Sequence, residues 1–299
     1  MIDLHTHSTA SDGNFSPSML MEEAAQRSIF AIALTDHDTI GGLAEASKAA
    51  AERGIRFIPG IELQIVCPPE VGGEFHLLGL GITRPSQNFV TTVEELARRR
   101  ENRNIEILDK INEAGISVCL EEIKALAASL ATPLAASLSV PLAVSGCGTS
   151  IGRPHFAEFL VRRKIVRNHE QAFARYLSKG KPFFIPKAGL EFEQAVQIIK
   201  ESGGIAVLAH PMSLYVAWGR LPPLIESLKE RGLDGIEAWH PTARVSACKR
   251  LEELGKRLGL AITAGSDFHG RVRPGRKLGI TSGGMKISDS LLESLPLDI

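Results

Sequence analysis

The chain has 299 residues, 44% of them hydrophobic and 23% charged, ample material for a large core, which excludes disorder as its main state. Lys plus Arg number 34 and Asp plus Glu number 34, and this zero net charge argues against a dedicated basic nucleic-acid binder. No apolar run reaches the roughly 18 residues that a membrane-spanning helix needs. In chain order, short apolar runs at 2–5, 31–35, 56–61, 75–82, 182–185, 205–209, 235–239 and 260–264 read as strands. Helical patterns fall between them at 17–28, 43–53, 191–201, 221–231 and 245–258. Strands separated by single helices imply βαβ units and a parallel sheet or barrel, and the element count favours a barrel. Gly54, Gly203, Gly232 and Gly259 each stand between a helical stretch and a strand, where a left-handed cap is expected.

The middle of the chain breaks this rhythm. Residues 86–180 read as helices with almost no strand, so the expected division is a barrel of 1–85 and 181–299 with an inserted helical subdomain of 86–180. Residues 89–114 read as one long charged helix, with RRRENR (98–103) as a solvated face. Residues 126–145 form a degenerate eight-residue repeat whose Pro133 and Pro141 forbid one continuous helix; it reads as a tether or as a lid. Helices resume at 154–163 and 170–178. The scattered Cys67, Cys119, Cys147 and Cys248 make neither a disulfide framework nor a thiolate zinc site. The opening MIDLHTH has no basic or apolar leader region, so a reducing cytoplasm is the expected compartment.

The histidines gather at predicted strand ends. His5 and His7 form H-x-H after the first strand, where the two-residue period turns both imidazoles the same way. Asp12 follows in a turn, His37 lies in TDHD, Glu62 follows Pro-Gly and His76 lies in the fourth strand. His210 ends IAVLAH, and Asp267 and His269 form D-x-H after the last strand. Each element alone is commonly accidental, and a lone His76 is more often a satisfied core residue. Their shared placement at strand ends, the face on which β/α barrels build sites, points to a metal centre. Nitrogen and oxygen donors without thiolate suit Mn, Fe or Zn, and nine donors imply two or three ions with Glu62 as the natural bridge.

The motifs DLHTHSTASDG, ALTDHDT, PGIEL, the His76 strand, AHP and GSDFHG resemble, in order, those of the PHP (polymerase and histidinol phosphatase) family of metal-dependent phosphoesterases. The resemblance covers about residues 1–82 and 182–282. It implies a distorted seven-stranded β/α barrel and a trinuclear centre, with manganese favoured and iron or zinc as alternatives. By carry-over, His5, His7, Glu62 and Asp267 hold a first metal; Glu62, His76 and His210 a second; Asp12, His37 and His269 a third. GRPH (152–155) matches the branch of nucleoside 3′,5′-bisphosphate phosphatases and the 5′-to-3′ exoribonuclease ribonuclease AM, and implies that Arg153 and His155 bind the scissile phosphate. An arginine fork matches phosphate oxygens, and Pro154 at a helix start leaves backbone N–H groups free for an anion.

The activity so implied is hydrolysis of nucleotide phosphate esters by metal-activated water, either at the 3′-phosphate of a bisphosphate or by trimming short 5′-phosphorylated RNA. The expected partner is a small phosphorylated nucleotide or short single-stranded RNA, with no duplex DNA, membrane or obligate protein partner. His240, in EAWHP, is a further candidate for substrate contact. RVRPGRK (271–277) reads equally as a second-phosphate site or a solvated charge run, and His169 is given no role. The competing readings are a phosphatase for another metabolite such as histidinol phosphate, an amidohydrolase, and a non-catalytic metal-binding accessory domain.

Overall fold

The computed structural model describes residues 1–131, 151–186 and 188–297. Seven strands stand in sequence order in one sheet: β1 (Ile2–Asp3), β2 (Ala31–Leu34), β3 (Arg56–Gln64), β4 (His76–Leu80), β5 (Ile205–Leu208), β6 (Gly235–Trp239) and β7 (Ala261–Ala264). The first strand meets the last through Leu4 N–H to Ala264 O (3.3 Å) and His7 N–H to Phe268 O (2.9 Å), so the sheet curls into a nearly closed barrel. Side chains alternate as the pleat requires. Ile2, Leu4, Ala31, Ala33, Ile58, Leu78, Leu80 and Val207 fill one cluster. Ile32 and Leu34 pack the other way, against α1 (Pro17–Gln26) and α2 (Leu43–Ala51). Helices α7 (Phe192–Glu201), α8 (Leu221–Glu230) and α9 (Val245–Leu258) cover β4 to β7 on the outer side. Pro17 presets the first turn of α1, and Ser16 Oγ caps it by accepting from Met19 N–H.

Two strand expectations are corrected. The barrel is not all-parallel: β4 runs antiparallel to β3 and to β5. No helix separates β3 from β4, so the chain returns as a hairpin. Residues 182–185 form no strand. Phe183 instead stacks on Tyr176 at a 5.0 Å centroid distance, and Phe183 and Ile185 join a hydrophobic cluster of the helical segment.

Between β4 and β5 lie α3 (Gln87–Glu113), α4 (Leu120–Ala131), α5 (Arg153–Arg162) and α6 (His169–Ala172), the last running on as a π-helical turn, Phe173–Leu177. Phe89, Val93 and Leu96 of α3 pack on the barrel, whereas Ile107, Leu108 and Ile111 pack into the helical cluster with Phe156 and Leu160. One helix thus ties the two hydrophobic units together. The repeat enters the described residues only at the end of α4; Pro133, Pro141 and Cys147 lie outside them. No helix among the described residues is long and apolar enough to cross a membrane.

Candidate active site

The barrel brings the nine predicted donors to one end. His5 and His7 follow β1, His37 follows β2, Glu62 stands near the end of β3, His210 follows β5, and Asp267 and His269 follow β7. His76 opens β4 and pairs in register with Gln64, so the reversed strand delivers its first residue to the same end. Asp12 reaches the cluster from the loop after β1, which Asp36 holds by accepting from Ser8 N–H (2.7 Å), Ser8 Oγ (2.6 Å) and Ser11 Oγ (2.5 Å).

Glu62 is the centre of the arrangement. Its Oε2 lies 3.4 Å from His5 Nε2, 3.3 Å from His7 Nε2 and 2.9 Å from His37 Nδ1. Its Oε1 lies 2.8 Å from His76 Nδ1 and 3.0 Å from His210 Nε2. Asp267 Oδ1 approaches His7 Nε2 (3.2 Å) and His5 Nε2 (3.6 Å). Asp12 Oδ1 lies 3.2 Å from His269 Nε2 and 3.9 Å from His37 Nε2. Burial would drive both carboxyls up, but the imidazoles around them hold Glu62 and Asp12 well below the usual carboxylate range, so both are ionised.

The outward ring nitrogens are already used. His5 Nδ1 is 3.0 Å from Glu237 Oε1, His76 Nε2 2.9 Å from Gln64 Oε1, and His269 Nδ1 2.8 Å from Asp267 O. His210 Nδ1 meets Ser213 Oγ at 2.5 Å. With Nδ1 or Nε2 committed to these partners, the other nitrogen of each ring turns its lone pair inward, as a metal ligand requires. His5 Nε2 and His7 Nε2 then face each other at 3.1 Å, and His76 Nδ1 and His210 Nε2 at 3.3 Å. Four buried atoms of the cluster, His7 Nδ1, Asp12 Oδ1, Glu62 Oε2 and His269 Nε2, make no hydrogen bond. Such orphaned, converging nitrogen and carboxylate atoms fit divalent cations. Donor atoms lie within 4.8 Å of one another in three groups: His7, Asp12, His37 and His269; His5, His7 and Asp267; His37, Glu62 and His76.

Backbone geometry carries part of the cost. His210 (φ 29°) and Asp267 (φ 50°) occupy the left-handed region that non-glycine residues seldom adopt, strain that clusters at functional sites. Gly265 is required two residues before Asp267: a Cβ there would lie 2.2 Å from His5 Cβ.

A cavity of about 360 Å³ opens over the cluster. The barrel contributes Asp12, His37, Glu62, His76, His210, His240 and Asp267 to its lining, and helices α3 and α5 contribute Arg100, Arg103 and Arg153. The reading of 98–103 as a solvated face is therefore corrected. Arg99 does face solvent and pairs with Glu95, but Arg100 and Arg103, three residues apart, share the face turned toward the barrel mouth. Arg100 binds Asp38 Oδ2 and His37 O, both at 2.7 Å. Arg153 approaches Glu74 at 3.7 Å and crosses the Phe184 ring at 5.7 Å. His155 is buried, with Nδ1 accepting from Gly152 N–H (3.0 Å) at the start of α5; it borders a smaller adjoining cavity with Asp12 rather than the main one. His240 joins the cluster, Nε2 3.2 Å from Asp267 Oδ2. The 271–277 run divides: Arg273 and Arg276 turn in to Asp267, whereas Arg271 and Lys277 are exposed. His169 pairs with Glu158 at 2.8 Å and borders the smaller cavity with His155 and Asp12.

Sequence reasoning missed two acids. Glu237 accepts from His5 and, at 2.7 Å, from His210 N–H; burial opposes its charge, yet His5 and His240 hold its pKa down at about 2. Asp3 accepts from Ser266 N–H, Ser266 Oγ and Gly279 N–H, fastening β1 to the loop after β7. The signal was present: an acid inside an apolar strand needs a buried partner.

The comparisons agree with this architecture. The PHP domain model matches residues 3–135. The chain is 34% identical over 267 residues to a 5′-3′ exoribonuclease of Haemophilus influenzae, covering 89% of each. It is 32% identical over 282 residues to a 3′,5′-nucleoside bisphosphate phosphatase of Chromobacterium violaceum, covering 94% of this chain and 91% of that one. A solved structure described as an amidohydrolase of Chromobacterium violaceum, with bound sulfate and no metal, superimposes with a TM-score of 0.78 at 31% identity, over 94% of this chain and 90% of that one. By sequence and by fold, the chain belongs to the PHP domain family and is a phosphoesterase.

Proposed function

We propose that this chain hydrolyses the 3′-phosphate of nucleoside 3′,5′-bisphosphates, with short 5′-phosphorylated RNA as the second substrate of the same site. The observation that carries the reading is one cavity lined by ionised carboxylates and inward-facing imidazoles of the barrel and by Arg100, Arg103 and Arg153 of the helical segment. The names of the two relatives, an exoribonuclease and a bisphosphate phosphatase, and the sulfate in the solved structure support it.

In this reading His5, His7, Glu62 and Asp267 hold one divalent metal, Glu62, His76 and His210 a second, and Asp12, His37 and His269 a third, with manganese favoured. Bound there, the ions supply Lewis acidity: they lower the pKa of water and offset charge on the phosphoryl group. Glu62, with Oε2 beside His5, His7 and His37 and Oε1 beside His76 and His210, would be the residue shared between the ions. Arg153 offers its planar fork to the equatorial phosphate oxygens. His155 commits Nδ1 to Gly152 N–H, which leaves Nε2–H as a donor in the smaller cavity it shares with Asp12, from where it would assist the leaving oxygen. His240 borders the cavity on the barrel side, as a contact for the sugar or phosphate. Residues 86–180 serve as the substrate-side subdomain of a barrel formed by 1–85 and 181–299. The free Cys67, Cys119 and Cys248 suit a reducing cytoplasm.

The test is phosphate release from adenosine 3′,5′-bisphosphate beside nucleotide release from a 5′-phosphorylated RNA oligomer, with Mn²⁺ and with chelator. Chelator-sensitive release from either supports the reading. Metal-loaded protein that releases neither phosphate from the bisphosphate nor nucleotide from the RNA, while cleaving another phosphate ester, overturns it.

A further inference from the structure

The arginines around the cavity are not equivalent. Arg273 and Arg276 are paired with Asp267, Arg100 with Asp38, and Arg153 with Glu74. Arg103 is the exception. It is only 7% exposed and lines the cavity, yet its Nε is buried without a hydrogen bond and it forms no ion pair among the described residues. A guanidinium cannot shed its charge to escape burial, so an uncompensated one is costly unless an anion joins it. Burial, Arg100 and Arg153 depress its pKa to about 10, which leaves it charged at neutral pH. Three like charges on one wall are what a polyanionic ligand relieves.

We propose that Arg103, with Arg100 beside it, forms a subsite for a second, non-reacting phosphate of the substrate. The inference rests on the nucleotide reading above and deepens it. The two roles stand on different helices: Arg153 opens α5, whereas Arg103 and Arg100 lie on α3, and all three line the same cavity. The ligand class follows from the chemistry: a terminal phosphomonoester presents several oxygens and close to two charges, matching the guanidinium fork. Arg100, one turn earlier on α3, is held in the cavity lining by Asp38 and His37 O.

The experiment compares adenosine 3′,5′-bisphosphate with adenosine 3′-monophosphate on the full, metal-loaded chain. Wild type should favour the bisphosphate. In Arg103→Gln, kcat/KM for the bisphosphate should fall about 10- to 100-fold further than for the monophosphate, mainly through KM. Arg103→Lys should recover part of the difference. A readout independent of turnover is thermal unfolding: Arg103→Met removes an unpaired buried charge and should raise Tm in phosphate-free buffer. Equal losses on both substrates would make Arg103 a scissile-phosphate or structural residue and overturn the subsite, as would a lower Tm in Arg103→Met. A preference for the bisphosphate that survives in Arg103→Gln removes the subsite alone. A wild type that hydrolyses other phosphate esters but neither nucleotide removes the nucleotide reading, and the subsite with it.

Discussion

The two walls of the cavity differ in how their charges are balanced. On the barrel wall each ionised group has opposite partners: Glu62 is surrounded by His5, His7, His37, His76 and His210, and Asp267 by Arg273, Arg276 and His240. Its orphaned atoms are lone-pair donors, and they call for cations. Among the described helical residues that line the cavity, the buried orphan is Arg103 Nε, and it calls for an anion. The proposed metal centre and the proposed phosphate subsite thus rest on the same measure, the sign of what each wall leaves unsatisfied.

The comparison breaks most severely at Glu62, because Glu62→Gln removes the one charge shared by both halves of the cluster. Activity should fall on the order of 10³-fold or more, above the usual cost of deleting a single charge-stabilising donor. Metal content measured by elemental analysis should fall with it, and a variant with wild-type metal content and turnover would remove Glu62 from the centre. Arg153→Ala should cost about 10²- to 10³-fold in kcat with metal content intact, since Arg153 belongs to the other wall. If metal is lost as well, the two walls are not separable.

How much of this was legible follows the same division. Donors on the barrel come from strand ends whose two-residue period and Gly, Pro and Thr turns are local in sequence, so His5, His7, His37 and Glu62 could be placed from the chain alone. Antiparallel β4 was readable from the missing helix between Glu62 and His76, yet the regular βαβ rhythm around it concealed the reversal. The 182–185 run has the composition of a strand, but it comes after the insert, and Phe183 finds an aromatic partner there before any sheet edge. Arginines in a charged helix carry no mark of which face is covered. The roles of Arg100 and Arg103 depend on how α3 crosses the barrel mouth, a tertiary fact that periodicity alone does not contain.

Glu237 tests the barrel wall more gently. It touches His5 Nδ1 and His210 N–H and lies behind the donors, so it is a positioning residue. Glu237→Gln keeps the shape but weakens the orientation and basicity of His5. Metal affinity should fall about 10- to 100-fold, the usual cost of losing a partner behind a ligating imidazole. Saturating metal should restore most of kcat. Loss that excess metal does not restore would place Glu237 in the reaction itself.

The smallest effect is expected at Arg99, and it sharpens the contrast within a single helix. Arg99 stands between Arg98 and Arg100, is more than two-fifths exposed, and pairs with the exposed Glu95 one turn away. Exposed i,i+4 pairs contribute about 0.3–0.5 kcal/mol, so Arg99→Ala should move stability by no more than that. Turnover and the preference for a doubly phosphorylated substrate should stay at wild-type values. Composition is nearly the same at positions 99, 100 and 103; what differs is the face of α3 on which each side chain stands. A loss in Arg99→Ala comparable to that in Arg103→Gln would mean that the net charge of the helix attracts the substrate. A loss confined to Arg103 would mean that one buried guanidinium, held without a partner, recognises it.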